Sequence, residues 1–356
     1  VEMCEKCNIT FIGPTAEMMD KMGNKSQARL TMIEAGVPVV PGTKEPVYDA
    51  KRGAVLAESI GYPVMIKASS GGGGKGMRIA LGPDDFEENF KVAQLESVRG
   101  FGDNTMYIEK YVQEPRHIEF QIMADKFGNV VQFGERDCSI QRNHQKMIEE
   151  SPSVALTPEL RRRMGEAAVR AAKAVHYESA GTIEFLLDKD KNFYFMEMNT
   201  RIQVEHPVTE MVSGVDLMKE MIWVAAGEPL SVKQEDIHLQ GHAMECRINA
   251  EDPAHHFRPC PGVIEAIHLP GGNGVRIDTA AYNGYEIPPF YDSMIAKVIV
   301  HGRTRQEAID KMRSTLGELI IDGVTTNVDF QYEILDNEDF QAGEITTDFI
   351  PMHFNL

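Results

Sequence analysis

The sequence predicts an α+β fold in two parts, and three observations lead to it. Residues 63–80 read as strand, glycine-rich loop and strand. Residues 117–136 and 181–199 read as two hairpins of alternating strands, with a long helix at 157–175 between them. Beyond Gly241 the pattern changes to strands and turns around one amphipathic helix at 305–320.

Each element has a local reason. Val1–Ile12 reads as the end of an element already under way, so a preceding piece is expected. Lys21–Gly36 reads as a helix with Met22, Ala28, Met32 and Ile33 on one side and Gly36 as its stop, after which Pro38 and Pro41 break the chain. Ala54–Ile60 is a short helix closed by Gly61-Tyr62-Pro63. Pro63–Lys67 and Met77–Ala80 are strands joined by the loop Ala68–Gly76; Asp84–Ser97 is helical and Thr105–Val112 a strand. His117–Ala124 and Asn129–Arg136 flank the turn Asp125–Gly128. Thr157 caps the long helix, with Pro158 in its first turn. Gly181–Asp188 and Phe193–Asn199 flank the turn Lys189–Asn192, and the helix Val215–Ala226 ends at Gly227. A boundary is placed at Ser231–Leu239. Ile309, Met312, Leu316 and Leu319 share a face of the last helix, Arg305–Ile320.

The chain has 356 residues, 42% of them apolar and 25% charged, enough for roughly two domains. A net charge of −18 argues against a nucleic-acid surface. No apolar run approaches the roughly 18 residues that span a bilayer, so no membrane partner is expected. Five cysteines without framework spacing point to a reducing compartment, the cytoplasm. Cys4 and Cys7 form a C-x-x-C, but Cys138, Cys246 and Cys260 supply no second pair for zinc, and a helix end is the expected setting.

Gly71–Gly76 satisfies G-x-G-x-x-G, yet a strand and not a helix follows it, which excludes a dinucleotide turn. Gly76 after Lys75 excludes a Walker A loop. A strand–glycine loop–strand flap remains, able to bring bare N–H groups to an anion. Lys25 and Lys67 suit phosphate; solvated lysines on a hairpin are the alternative.

If Asp188 pairs with Phe193, the register sets Glu184 opposite Glu197, with Cβ atoms about 5 Å apart. Carboxylates so placed repel, and a hard divalent cation such as Mg²⁺ resolves the conflict. While the chain stays extended, Glu197, Asn199, Arg201, Gln203 and Glu205 share one face, with Met196, Met198, Ile202 and Val204 on the other. Arg201 suits a planar carboxylate-like substrate, and Glu205 a general base. Spacing thus points to phosphoryl transfer onto a small acid.

Lys67–Arg78 (KASSGGGGKGMR), Glu135–Lys146 (ERDCSIQRNHQK), Glu197–Pro207 (EMNTRIQVEHP) and Glu245–Asp252 (ECRINAED) together resemble the biotin carboxylase component of biotin-dependent carboxylases, within the ATP-grasp superfamily. The resemblance implies an α+β ATP-grasp fold over residues 23–231, with a lid subdomain at about 40–112. A remnant of an N-terminal domain would occupy 1–22, and a mixed α/β biotin carboxylase C-terminal domain would cover 240–350. It implies that Lys25, Lys67, Gly73 and Gly74 hold ATP phosphates, and that Glu109, Lys110, Tyr111 and Val112 supply the adenine contact. His117, Gln141 and His144 would also serve the nucleotide. Glu184, Glu197 and Asn199 would hold Mg²⁺ or Mn²⁺. Lys146, Arg201, Gln203 and Val204 would bind bicarbonate, with Glu205 as its base, and Arg247 would meet biotin; a salt bridge from Arg247 to Glu245 is the structural alternative.

The implied reaction carboxylates biotin on a biotin carboxyl carrier protein by way of carboxyphosphate, the first half-reaction of acetyl-CoA carboxylase in fatty acid biosynthesis, with carboxyltransferase subunits as further partners. The biotin carboxylase of another acyl-CoA or pyruvate carboxylase is the alternative, as is an ATP-binding fragment impaired in catalysis. Arg276 and Asp292 match positions at the family's dimer interface, so a homodimer is expected at full length. Met218-Lys219 falls inside a helix and is no biotin-bearing site.

Overall fold

The computed structural model describes residues 1–69 and 76–354, and of Lys25 and Ser26 the backbone alone. Two sheets organise it. In the smaller, β1 (Val64–Ala68) lies between β2 (Met77–Ala80) and β3 (Met106–Lys110), antiparallel to both. The helices Ala50–Ile60 and Pro83–Phe101 cover one face, where Val64, Ile66, Ala80, Met106 and Ile108 meet Phe86 and Phe90. Pro83 starts the second helix with φ already set, and Asp85 accepts from the N–H groups of Leu81 and Gly82.

The larger sheet has eight antiparallel strands. They include β4 (Arg116–Ala124), β5 (Val130–Arg142), β6 (Gln145–Ser151), β7 (Ser179–Leu187), β8 (Phe193–Asn199) and β9 (His242–Asn249). From one edge the order runs Val275–Thr279, Met294–Gly302, β9, β6, β5, β4, β7, β8. The helix Pro158–Ala174 lays Leu160, Met164, Ala167, Ala168 and Ala171 on one side of the β4–β5–β7 region, against Phe120 and Phe185. Its small residues let helix and sheet approach closely. At the other end Ile309, Met312 and Leu316 of the helix Arg305–Glu318 pack against the strand Met294–Gly302 and its neighbours.

The segment Ser231–Leu239 holds one short turn of helix, Gln234–Asp236, and the large sheet continues across it because β9 pairs with β6. That joint is locked by the buried Glu150, whose carboxylate accepts from Arg305 Nε at 2.7 Å and lies 2.7 Å from His242 Nε2.

Several expectations are corrected. Lys21–Gly36 is two helices, Ala16–Gly23 and Lys25–Glu34, because the extended Asn24 ends the first and caps the second by accepting from Gln27 N–H at 3.0 Å. Met22, Ala28 and Met32 are buried as expected, but Ile33 is not. β6 and the helix His206–Ser213 had no clear sequence signal: QKMIEES shows no alternation, and its charged residues are buried among others. Cys4 and Cys7 lie at the helix Glu2–Lys6, Cys7 closing it, and all five cysteines are free thiols. No helix among the described residues is long and apolar enough to cross a membrane.

Burial opposes ionisation of Glu150, but Arg305 and His242 outweigh it and draw its pKa down to about 2. A depressed carboxylate stabilises the fold fully above its unfolded pKa of about 4.3, and the contribution is lost as pH falls through the folded value. Glu150→Gln is therefore expected to lose on the order of 3 kcal/mol in denaturant titration at neutral pH. The deficit should shrink when the titration is repeated below about pH 4.

Candidate active site

The site forms where β4, β6, β7 and β9 present charged side chains on one side of the large sheet. Its centre is Lys146, near the start of β6. The ammonium lies 2.5 Å from Glu119 Oε2, 2.9 Å from Glu184 Oε1 and 2.7 Å from Glu205 Oε1. These carboxylates come from β4, from β7 and from the residue that opens the helix His206–Ser213, and all three are buried. Behind Glu119 stands Arg136 on β5, fully enclosed; it donates from Nε to Glu119 at 2.6 Å and otherwise to Gln121, Thr182 and Thr209.

Electrostatics follow from this packing. Burial disfavours the charged form of each group, yet the opposite charges win. Glu119 is held well below the usual range by Lys146 and Arg136, and Glu184 is lowered by His117 and Lys146. His117 Nε2 lies 3.2 Å from Glu184 Oε2 and 3.6 Å from Glu119 Oε2. Burial pulls the imidazole down, and these carboxylates raise it to about 9.

Glu184 pairs directly with Glu197 across the β7–β8 ladder, and Thr182 with Asn199. The turn end differs from expectation: Leu187, not Asp188, pairs with Phe193, and an irregularity between Glu184 and Phe185 restores the anticipated register nearer the site. Asn199 Nδ2 donates to Glu184 Oε1 at 2.9 Å. Two carboxylates with an amide oxygen beside them are a donor set that fits a hard divalent ion. His117, Glu119 and Glu184 also bring possible ligand atoms within 4.8 Å of one another.

The polar stripe from Glu197 to Glu205 is corrected. β8 ends at Asn199, and Glu205 reaches the site because a helix begins there. Arg201 is exposed and donates to Gln203 Oε1 at 3.0 Å, while Val204 gives its carbonyl to Lys297 Nζ at 2.6 Å. Met196 is 40% exposed and not on an apolar reverse side.

Arg247 on β9 completes the cluster. It donates from Nε to Glu149 Oε1 at 2.6 Å and from Nη2 to Glu205 Oε2 at 2.8 Å. Its ion-pair partners are thus Glu149 and Glu205, where the sequence offered Glu245. Glu205 lies clamped between Lys146 and Arg247.

Of the other expected residues, Gln141 stands directly opposite Lys146 in the β5–β6 ladder. Lys67 Nζ lies 2.6 Å from Glu109 Oε2, and Arg29 also approaches that carboxylate. Lys110 Nζ donates to the carbonyls of Gly61 and Tyr62, and Tyr111 N–H to Pro63 O. Val112 follows this strand, half-buried. Gln141 is buried near the end of β5, and His144 is exposed in the β5–β6 turn with φ +64°. Lys25 opens its helix; Gly73 and Gly74 lie outside the described residues. Arg276 pairs with Glu210 and Asp278, and Asp292 accepts from Met294 N–H. Met218 and Lys219 lie in the helix Leu217–Ala225.

Residues 24–233 match the family described as carbamoyl-phosphate synthase L chain, ATP binding domain, and residues 245–352 match the biotin carboxylase C-terminal domain. Biotin carboxylase 1 of Bacillus subtilis is 54% identical over 350 residues, covering 98% of this chain and 78% of that one. The chain belongs to the biotin carboxylase family. It is an ATP-dependent ligase of that family, with an α+β ATP-grasp fold followed by the biotin carboxylase C-terminal fold. A pyruvate carboxylase subunit of Methanothermobacter thermautotrophicus is 55% identical, over 98% of this chain and 71% of that one. Among solved structures, the biotin carboxylase domain dimer of Hydrogenobacter thermophilus 2-oxoglutarate carboxylase, in complex with MgADP, ADP and bicarbonate, superposes with a TM-score of 0.91. It is 48% identical, covering 99% of this chain and 78% of the other.

Glu119, Arg136 and Glu149 escaped the sequence reading. Glu119 had one available signal, since it lies two residues from His117 on the same strand face. Lys146 is the residue whose removal tests the cluster. Lys146→Met strands three buried carboxylates without their shared cation, and a loss of about 3–5 kcal/mol is expected in chemical denaturation.

Proposed function

We propose that this chain carboxylates biotin on a biotin carboxyl carrier protein, using bicarbonate and ATP, as the first half-reaction of acetyl-CoA carboxylase in the cytoplasm. Carboxyltransferase subunits would complete the reaction, and the working form would be a homodimer. One observation carries the reading: Glu205 is held between Lys146 and Arg247, beside the opposed pair Glu184 and Glu197. A base thus sits between a cation suited to a small anion and an arginine suited to a developing oxyanion.

The residues divide the work. Glu205 takes the bicarbonate proton, and Lys146 with Arg201 and Gln203 holds the anion's oxygens. Bicarbonate oxygen attacks the γ-phosphorus and ADP leaves, giving carboxyphosphate. Glu184, Glu197 and Asn199 would hold Mg²⁺ or Mn²⁺, which neutralises phosphate charge when bound. Lys25, Lys67, Gly73 and Gly74 are assigned to the phosphates, and Glu109–Val112, His117, Gln141 and His144 to the rest of the nucleotide. Carboxyphosphate breaks into CO₂ and phosphate; phosphate accepts the ureido proton of biotin, and the nitrogen so freed attacks CO₂. Arg247 stabilises negative charge on the ureido oxygen at that stage.

A second reading, the biotin carboxylase of a 2-oxo-acid carboxylase, is favoured by the pyruvate and 2-oxoglutarate carboxylase relatives. Transfer of labelled carboxyl from the charged cognate carrier to acetyl-CoA, and not to pyruvate or 2-oxoglutarate, would support the first reading against it. For the shared chemistry, ADP release should require bicarbonate and rise with free biotin. Arg247→Ala should lower the biotin-stimulated rate by about 10²–10³ while calorimetry still shows Mg·ATP binding. ADP release that depends on an amino acid and not on bicarbonate would contradict the proposal.

A further inference from the structure

Behind Arg247 lie two carboxyl groups that the reaction above does not use. Glu149 on β6 and Glu245 on β9 are directly paired across the antiparallel ladder, and both are fully buried. Their Cβ atoms are therefore about 5 Å apart. Glu149 gives Oε1 to Arg247, and among the described residues its Oε2 has no hydrogen-bond partner, nor has either oxygen of Glu245. Two buried, adjacent carboxylates left in that state would repel each other, and Glu245 would carry its full desolvation cost. One proton removes both difficulties. Protonated Glu245 supplies an O–H donor, and Glu149 Oε2 is an unfilled acceptor on its ladder partner.

We propose that Glu149 and Glu245 hold a single proton between them, with Glu245 as the acid and Glu149 as the carboxylate, and that this pair is the positioning element that aims Arg247 into the site. The part concerning Arg247 rests on the role proposed for it above. The surroundings assign the two states. Glu149 faces Arg247 of β9, Lys146 of its own strand and Glu205 at the helix start. Burial raises it and Glu205 adds to the rise, but Arg247 and Lys146 oppose both, so of the two it gives up its proton first. Glu245 faces Glu149 first, then Lys297 of the strand Met294–Gly302, Arg247 and Glu205; burial and Glu149 push it well above the usual range. Lys297 is itself held by the Val204 carbonyl and Asp278, so it does not pair with Glu245. Arg247 is then bound at Nε by a carboxylate whose own second oxygen is fixed, which prevents the guanidinium from swinging away from Glu205.

Three readouts test the pair. In parent protein labelled with carboxyl-¹³C glutamate, infrared spectra of the resting enzyme at neutral pH should contain the carbonyl stretch of a protonated carboxylic acid, missing in Glu245→Gln. No such band in the parent overturns the proposal, even if the variant fails to fold. A group protonated only in the folded state makes stability fall as pH rises above its unfolded pKa. The thermal midpoint of Glu245→Gln should therefore gain on the parent from about pH 5 to about pH 8, and a constant difference overturns the proposal. Glu149→Gln should lower biotin-stimulated kcat about a hundredfold with KM for Mg·ATP unchanged, as expected of a misplaced group; unchanged kcat overturns the positioning role. The infrared band needs no substrate, so a parent showing the band but no bicarbonate-dependent turnover would overturn the proposed function and leave the proton pair standing.

Discussion

One ammonium group holds this site together. Lys146 touches carboxylates from three separate elements, and Coulomb repulsion among Glu119, Glu184 and Glu205 would otherwise drive those elements apart. Arg136 backs Glu119 from the opposite side, with its remaining donors satisfied by neutral groups. A buried charge network is costly to assemble and more costly to leave half-paired. The energy invested here therefore marks a place where ions are handled.

Sheet topology decides which charges meet. The β6–β9 pairing, locked by Glu150 between Arg305 and His242, carries the C-terminal strands into the same sheet as β4, β5 and β7. It thereby sets Arg247 beside Glu205, 42 residues away in sequence. From Lys146 the signs alternate through Glu205, Arg247 and Glu149. Each guanidinium or ammonium is thus fixed from two sides, which is the preorganisation a site needs to stabilise charge without rearrangement.

Much of this was legible in the sequence, but unevenly. Glu184 opposite Glu197 could be reached from hairpin register, although the pairing assumed at the turn was one residue off and an irregularity in the ladder corrected it. Strand period failed beyond Asn199 because the chain leaves the sheet there and bends toward the helix that starts at His206, so Glu205 enters the site from a helix start and Arg201 remains outside the buried cluster. Glu119 and Arg136 read as ordinary strand charges, Glu149 falls where the sequence shows no strand, and Glu245 was offered as a partner for Arg247. All four are buried once the strands of the large sheet come together, and no local pattern records that. Asn24 was similarly opaque: a helix-breaking cap looks like an interior residue until its side chain is seen to accept from Gln27.

The most direct test follows an oxygen atom. With ¹⁸O-labelled bicarbonate and ATP, attack of bicarbonate on the γ-phosphorus transfers one labelled oxygen to the phosphate released, which ³¹P NMR resolves by its isotope shift. Label in the phosphate at one atom per turnover is the expected result. Phosphate that takes its new oxygen from water, with the label left in CO₂ and bicarbonate, would contradict a site built around Lys146 and Glu205 to make bicarbonate the nucleophile.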